Sequence, residues 1–278
     1  MNFELLKETK TRYLFIKMLC ILTVGIILMI VCSKVLKIHL TDSYIEIISA
    51  VITIIWFLIV LKFMKENGIS ISNFIRRPLK GKFILEVPVS LIMTYLGGAG
   101  FILLILSLVN YINPAMLNSI SSNLSNKSPK IDTMFMIVIS FISSVIIAPI
   151  VEEFIFRGIL MGRLYNKYGM GKSIIFSSII FFSMHLNINP MLLLLGISCA
   201  ILTYKYKSLI PSITLHACNN LIVFIGGLKR NSGVSKNDLL NINSSFIIGG
   251  IILVIIYLFY SYRNYRKCRM NIYNSKCD

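Results

Sequence analysis

Residues 133–158 read TMFMIVISFISSVIIAPIVEEFIFRG. From Thr133 to Val151 the segment carries no charge, and about 20 such residues suffice for a helix to cross the hydrocarbon of a bilayer. The apolar run is continuous, whereas strands of a membrane barrel alternate apolar and polar positions over about ten residues. A spanning segment must satisfy its own backbone hydrogen bonds, so the remaining choice is an α-helix. The stretch then ends on Glu152, Glu153 and Arg157, set among Phe154, Ile155 and Phe156.

Outward from this segment the same pattern recurs. Long apolar windows, charged at most near their ends, lie at 13–32, 44–63, 84–109, 173–188, 190–204, 208–228 and 245–262, which with 133–151 predicts about eight transmembrane helices in an all-α, polytopic membrane protein. The composition agrees: of 278 residues, 56% are hydrophobic and 14% charged, well above the roughly 45–50% apolar share of a soluble domain. Eight spans of about 20 residues leave no room for a separate soluble domain of ordinary size, so 1–278 reads as one integral membrane domain. Gly97, Gly98 and Gly100 in the third window allow close helix approach.

The formal charge is +17, from 28 Lys and Arg against 11 Asp and Glu. In a soluble chain that excess suggests a nucleic-acid partner; here the bilayer explains it, and no nucleic acid is expected. The basic residues fall mainly in alternate connections: Lys7, Lys10 and Arg12 before the first window, Arg76, Arg77 and Lys80 after the second, Arg163, Lys167 and Lys172 after the fourth. Lys205 and Lys207, then Arg263, Arg266 and Lys267, continue the alternation. Positive connections mark the cytoplasmic side, which puts both termini there, against anionic lipids. The connections 110–131 and 229–244, and His39, are expected outside. The first apolar run is longer than a signal-peptide core and has no small-residue cleavage pattern after it, so it is expected to be retained. Six cysteines without a CxxC pair indicate neither a disulfide nor a cysteine-based zinc site. Lys17, Glu46 and Glu86 sit near window ends, where long side chains reach the interface.

Ionisable groups at membrane depth cost roughly 2.5–3.5 kcal/mol each on insertion scales and need partners. Glu153 and Arg157 are four apart and share a helix face; Glu152 is turned about 100° away, without a local cation. Two readings fit: a pair of carboxylates marking the membrane edge and neutralising the arginine, or a desolvated carboxylate suited to proton transfer. Two of the three histidines also lie in apolar windows, His185 in SIIFFSMHLN and His216 in PSITLHACNN. His216 and Asn220 are four apart and face the same way. Each imidazole alone fits a hydrogen-bonded helix contact. Together, a carboxylate, imidazoles and a donor amide are the parts that activate water and stabilise an oxyanion. Pro149 and Pro211 each remove a helix hydrogen bond beside this cluster.

The order Glu152-Glu153-x-x-x-Arg157, then Phe181 or Phe182 with His185, then His216-x-x-x-Asn220, each on its own segment, resembles the CAAX protease and bacteriocin-processing family of intramembrane proteases. The resemblance covers about 150–220. It implies an endopeptidase with a catalytic core over about 133–228, built on four helices around a cavity open to the membrane and the cytoplasm. It also implies a membrane-associated peptide substrate, prenylated or bacteriocin-like, and a bacterial cell membrane as the setting. By motif position Glu152 resembles the general base, His185 its assistant, His216 and Asn220 the oxyanion stabilisers, and Glu153 and Arg157 a supporting pair. No cofactor is required by the sequence. Zinc is left open, with Glu152, His185 and His216 as its candidate ligands, although the HExxH spacing of common zinc proteases is absent. The alternative is a non-enzymatic role, as a bacteriocin self-immunity protein or a peptide-binding membrane scaffold; a transporter would spread its charges over more helices. One conflict remains. On these windows Glu152 lies at the inner end of its span and His185 near the outer end of the next, so one boundary must move or one span re-enter.

Overall fold

The computed structural model describes residues 1–35, 42–76, 82–113, 134–185, 189–228 and 244–274, with the single positions 37, 78 and 116. Among these residues there is helix and no strand. The long helices are α1 (Thr11–Lys34), α2 (Asp42–Glu66) and α3 (Phe83–Ile112). Then come α4 (Met134–Ser140), α5 (Ala148–Glu153) and α6 (Met161–Met184), joined without a break by the π-helical turns Phe141–Ile147 and Phe154–Leu160. The series closes with α7 (Pro190–Tyr206), α8 (Ile210–Leu228) and α9 (Ser244–Asn274). Among the described residues each apolar window lies largely on helix, and six helical stretches, not eight, are long and apolar enough to cross a membrane, because Met134–Met184 runs as one of them and α7, with 17 residues, is shorter. The polytopic all-α reading therefore stands with six such spans. Most of the connections 110–131 and 229–244, and His39 and Cys277, lie outside the described residues.

The stretch Met134–Met184 has 51 residues, which as one straight helix would reach about 77 Å, far beyond a bilayer's hydrocarbon of about 30 Å. Gly169 divides it, with φ 79° and ψ 178°, a conformation that side-chain-bearing residues essentially never adopt. The arms 152–168 and 170–184 fold back on each other there, and Phe156 meets Phe181 with ring centroids 5.3 Å apart. This settles the depth conflict. From Glu152 to Gly169 the chain rises about 25 Å, and from Gly169 to His185 it returns about 24 Å, so the two residues come level. The window edge at 151 was the error: helix continues through the charged motif to the Gly169 bend.

The small-residue face of α3 does what close packing requires. A Cβ on Gly100 would stand 2.8 Å from the Gly250 carbonyl of α9, and one on Gly97 would stand 2.8 Å from Tyr257. The backbones of α3 and α9 thus touch where hydrocarbon-soluble helices gain association from packing rather than from exclusion of water. Large apolar side chains such as Leu28, Leu58, Ile92, Ile248 and Phe259 point outward, the arrangement expected where lipid is the solvent. Inside, Leu6, Met18, Met64, Phe74, Phe154 and Phe181 form one core that ties α1 and α2 to the motif-bearing helices, and Trp56 Nε1 donates to the Met18 carbonyl at 3.2 Å.

The connections rich in Lys and Arg gather at one end of the bundle. Arg163 donates to the Leu6 carbonyl at 3.4 Å, and Ser208 Oγ donates to the Arg76 carbonyl at 2.6 Å. Lys205 pairs with Glu86 and donates to Asn264 Oδ1 at 2.9 Å. Glu86 departs from its expected role: it does not reach out to the interface but is bound by Lys205 and the Tyr206 hydroxyl, with a side chain 15% exposed. Both partners come from the last turn of α7, so the carboxylate is satisfied within the bundle.

Candidate active site

Four side chains converge from three segments. Glu152 and Glu153 end α5, His185 caps the C-terminus of α6, and His216 lies two turns into α8. Glu152 Oε2 lies 3.6 Å from His185 Nε2 and 3.8 Å from His216 Nε2. Both distances exceed a hydrogen bond, and Glu152 Oε2 has no hydrogen-bond partner.

Each imidazole is oriented from behind. His185 Nδ1 lies 2.8 Å from the Phe181 carbonyl, an acceptor only, so Nδ1 carries the hydrogen and Nε2 faces Glu152. His216 Nδ1 lies 3.0 Å from Glu153 Oε1, and the same reasoning places the Nδ1 hydrogen toward that carboxylate. The expectation that Glu152 and Glu153 diverge is met: one carboxylate enters the space between the imidazoles, and the other lies behind His216.

Glu153 and Arg157 are both fully buried and stand 3.0 Å apart, close enough for an ion pair though the N–H is not aligned for a hydrogen bond. Arg157 donates instead to the Gly196 carbonyl of α7 at 3.2 Å, and its guanidinium lies over the Phe181 ring at 4.3 Å. Phe181 also meets His185 at 4.5 Å and His216 at 5.6 Å between centroids. Of the two phenylalanines the sequence offered, Phe181 is the one that packs against all three polar groups. Gly196 is tightly fitted, because a Cβ there would lie 3.1 Å from Ser178 Cβ and 3.3 Å from Arg157 Nη2.

Both imidazoles line a cavity of about 370 Å³ that runs along α8 past Asn219 and Asn220 to Val223 and Phe224, with Asn189 and Met191 of the α7 entry opposite. It extends from the histidines away from the basic end of the bundle. Asn220, singled out by its spacing from His216, lines it. Ser144 and Asn219 also line it, and sequence reasoning missed both; only the doubled Asn in HACNN hinted at the second. Among the described residues no cluster of three or more His, Cys, Asp or Glu is gathered closely enough to hold a metal ion. Glu152, His185 and His216 are the nearest approach to one.

Residues 134–222 match the family model described as Rce1-like, type II CAAX prenyl endopeptidase Rce1-like. That segment is similar to the family over 89 of the 278 residues. It holds every polar residue named at the site and leaves α1, α2, α3 and α9 outside. The chain is also similar to "Putative membrane peptidase YdiL" of Bacillus subtilis (strain 168), with 30% identity over 130 residues, 46% of this chain and 52% of that relative. It thus spans about half the length of the curated relative it matches. No solved structure matches significantly.

Proposed function

We propose that this chain is a membrane-embedded endopeptidase that hydrolyses a peptide bond of a membrane-associated substrate, with water activated by Glu152. The observation that carries this reading is the convergence of one carboxylate on two imidazoles. Glu152 Oε2 lies 3.6 Å from His185 Nε2 and 3.8 Å from His216 Nε2, a spacing at which one water molecule hydrogen-bonds to both Glu152 and His185. Glu152 takes one proton as the water oxygen attacks, while His185 holds the other and fixes the direction of attack. His216, with its Nδ1 hydrogen on Glu153, presents Nε2 to the site. Protonated there as well, it donates to the developing oxyanion together with Asn220, and its charge balances the surplus carboxylate of Glu152, Glu153 and Arg157. Glu152 then delivers its proton to the leaving amine.

The similarity to Rce1-like endopeptidases and to a membrane peptidase supports the reaction class. The gathering of basic connections at one end supports a cytoplasmic assignment for that end, with both termini and the anionic lipid contact there. The reading requires no metal; if zinc were held, Glu152, His185 and His216 would be its ligands.

The test compares membranes holding equal amounts of wild-type chain and Glu152→Gln, with peptide termini read by mass spectrometry. Termini that depend on Glu152 support the proposal. Equal termini in both would overturn it and leave peptide binding or bacteriocin immunity as the reading. Glu152 makes no hydrogen bond at its Oε2, so the substitution is expected to leave the fold intact.

A further inference from the structure

Pro149 has no backbone N–H. It follows the π turn Phe141–Ile147, in which Ala148 N–H reaches back five residues to the Ser143 carbonyl. The next bond of that series would run from residue 149 to the Ser144 carbonyl, and proline cannot make it. A side chain takes the place: Asn220 Nδ2 of α8 donates to the Ser144 carbonyl at 2.8 Å. The other end of the same amide is also held, since Asn219 Nδ2 donates to Asn220 Oδ1 at 3.1 Å. Asn219 is itself 5% exposed.

A carboxamide can turn over by 180° and exchange donor for acceptor with little change of shape. Here both ends are fixed. The Ser144 carbonyl accepts only, so the NH₂ group must face it, and Asn219 donates to the oxygen. One N–H of Asn220 remains, on a residue that lines the cavity beside His216.

We infer that Asn219 and Pro149 are positioning residues for the reaction, which together hold the Asn220 amide with its second N–H available to the oxyanion. Pro149 acts by leaving a backbone carbonyl for Asn220 to bind, and Asn219 by occupying the amide oxygen. This inference rests on the proteolytic reading of the site.

The test uses the full chain in detergent and the peptide whose Glu152-dependent cleavage the terminus comparison identifies, with a fluorescence-quenched farnesylated CAAX peptide as second probe. Asn220→Ala is expected to lower kcat about 100-fold, as loss of one oxyanion donor does. Asn219→Leu and, separately, Pro149→Ala are expected to lower kcat about tenfold with KM within about twofold. Pro149→Ala is the decisive variant because it restores a helical N–H: Tm holds or rises while kcat falls. In the Asn220→Ala background neither substitution costs more than about a further twofold. Losses that multiply, losses confined to KM, or wild-type kcat in Pro149→Ala would each overturn the inference. Thermal unfolding supplies a readout independent of cleavage, with Asn219→Leu lowering Tm in the wild type and not in Asn220→Ala. If wild type and Glu152→Gln are equally inert, the proteolytic reading fails, and this Tm comparison still shows whether the relay exists.

Discussion

Arg157→Met offers the sharpest test of how the site is held. Arg157 and Glu153 are both fully buried and 3.0 Å apart, and removing one member of a buried pair leaves an uncompensated charge, at a cost of about 3–5 kcal/mol. His216 still reaches Glu153 at 3.0 Å, which sets the expected loss at the lower end, about 3 kcal/mol. For a chain of this size that corresponds to a fall in Tm of roughly 6–12 °C. Glu153→Leu alone strands Arg157 with the Gly196 carbonyl and the Phe181 ring, and costs about as much. The double variant removes both charges and is expected to lie closer to wild type than either single one, since apolar replacements of a buried pair are often neutral. Activity follows the opposite course: without Glu153 nothing orients His216, and kcat stays at least about 100-fold down in the double variant. The assay is thermal unfolding of the purified chain in detergent, with cleavage measured alongside. A double variant that loses the sum of the two single Tm changes would refute the pairing, and one that regained activity would refute the role of Glu153 behind His216.

Two further expectations follow from the site and its support. Gly169→Ala places a side chain at φ 79° and is expected to cost about 1–3 kcal/mol, read as a lower Tm; an unchanged Tm would mean that the hairpin bends elsewhere. Chelation with 1,10-phenanthroline is expected to leave Glu152-dependent cleavage unchanged, because in the proposed mechanism Glu152 and His185 activate water directly. A loss of cleavage that added zinc restores would show that the three groups hold a metal instead.

The fold class was legible because lipid imposes a simple rule on composition. A run such as Thr133–Val151 has one structural outcome, and so do the windows around it. The groups that converge in the candidate site were legible because Glu152, Glu153, His185 and His216 are chemically out of place in apolar surroundings. The hydrocarbon background turns each polar residue into a signal, and helical spacing links His216 to Asn220 and Glu153 to Arg157.

What hydropathy could not locate was the end of the helix through Glu152. Windows stop at charge, whereas the backbone continues through the charges once they are paired, and the bend falls at Gly169 because only glycine tolerates that φ. Nor does sequence spacing show that Glu86 is bound by Lys205 and Tyr206, since those partners are more than a hundred residues away. The carbonyls of Ser144, Phe181 and Gly196 carry no side-chain identity, so their roles toward Asn220, His185 and Arg157 leave no trace in a sequence read residue by residue. The sequence alone determined an all-helical membrane protein and the chemical groups of its candidate site. Tertiary packing alone decided that the Gly169 hairpin returns His185 to the depth of Glu152, because two helical arms of nearly equal length must end where they began.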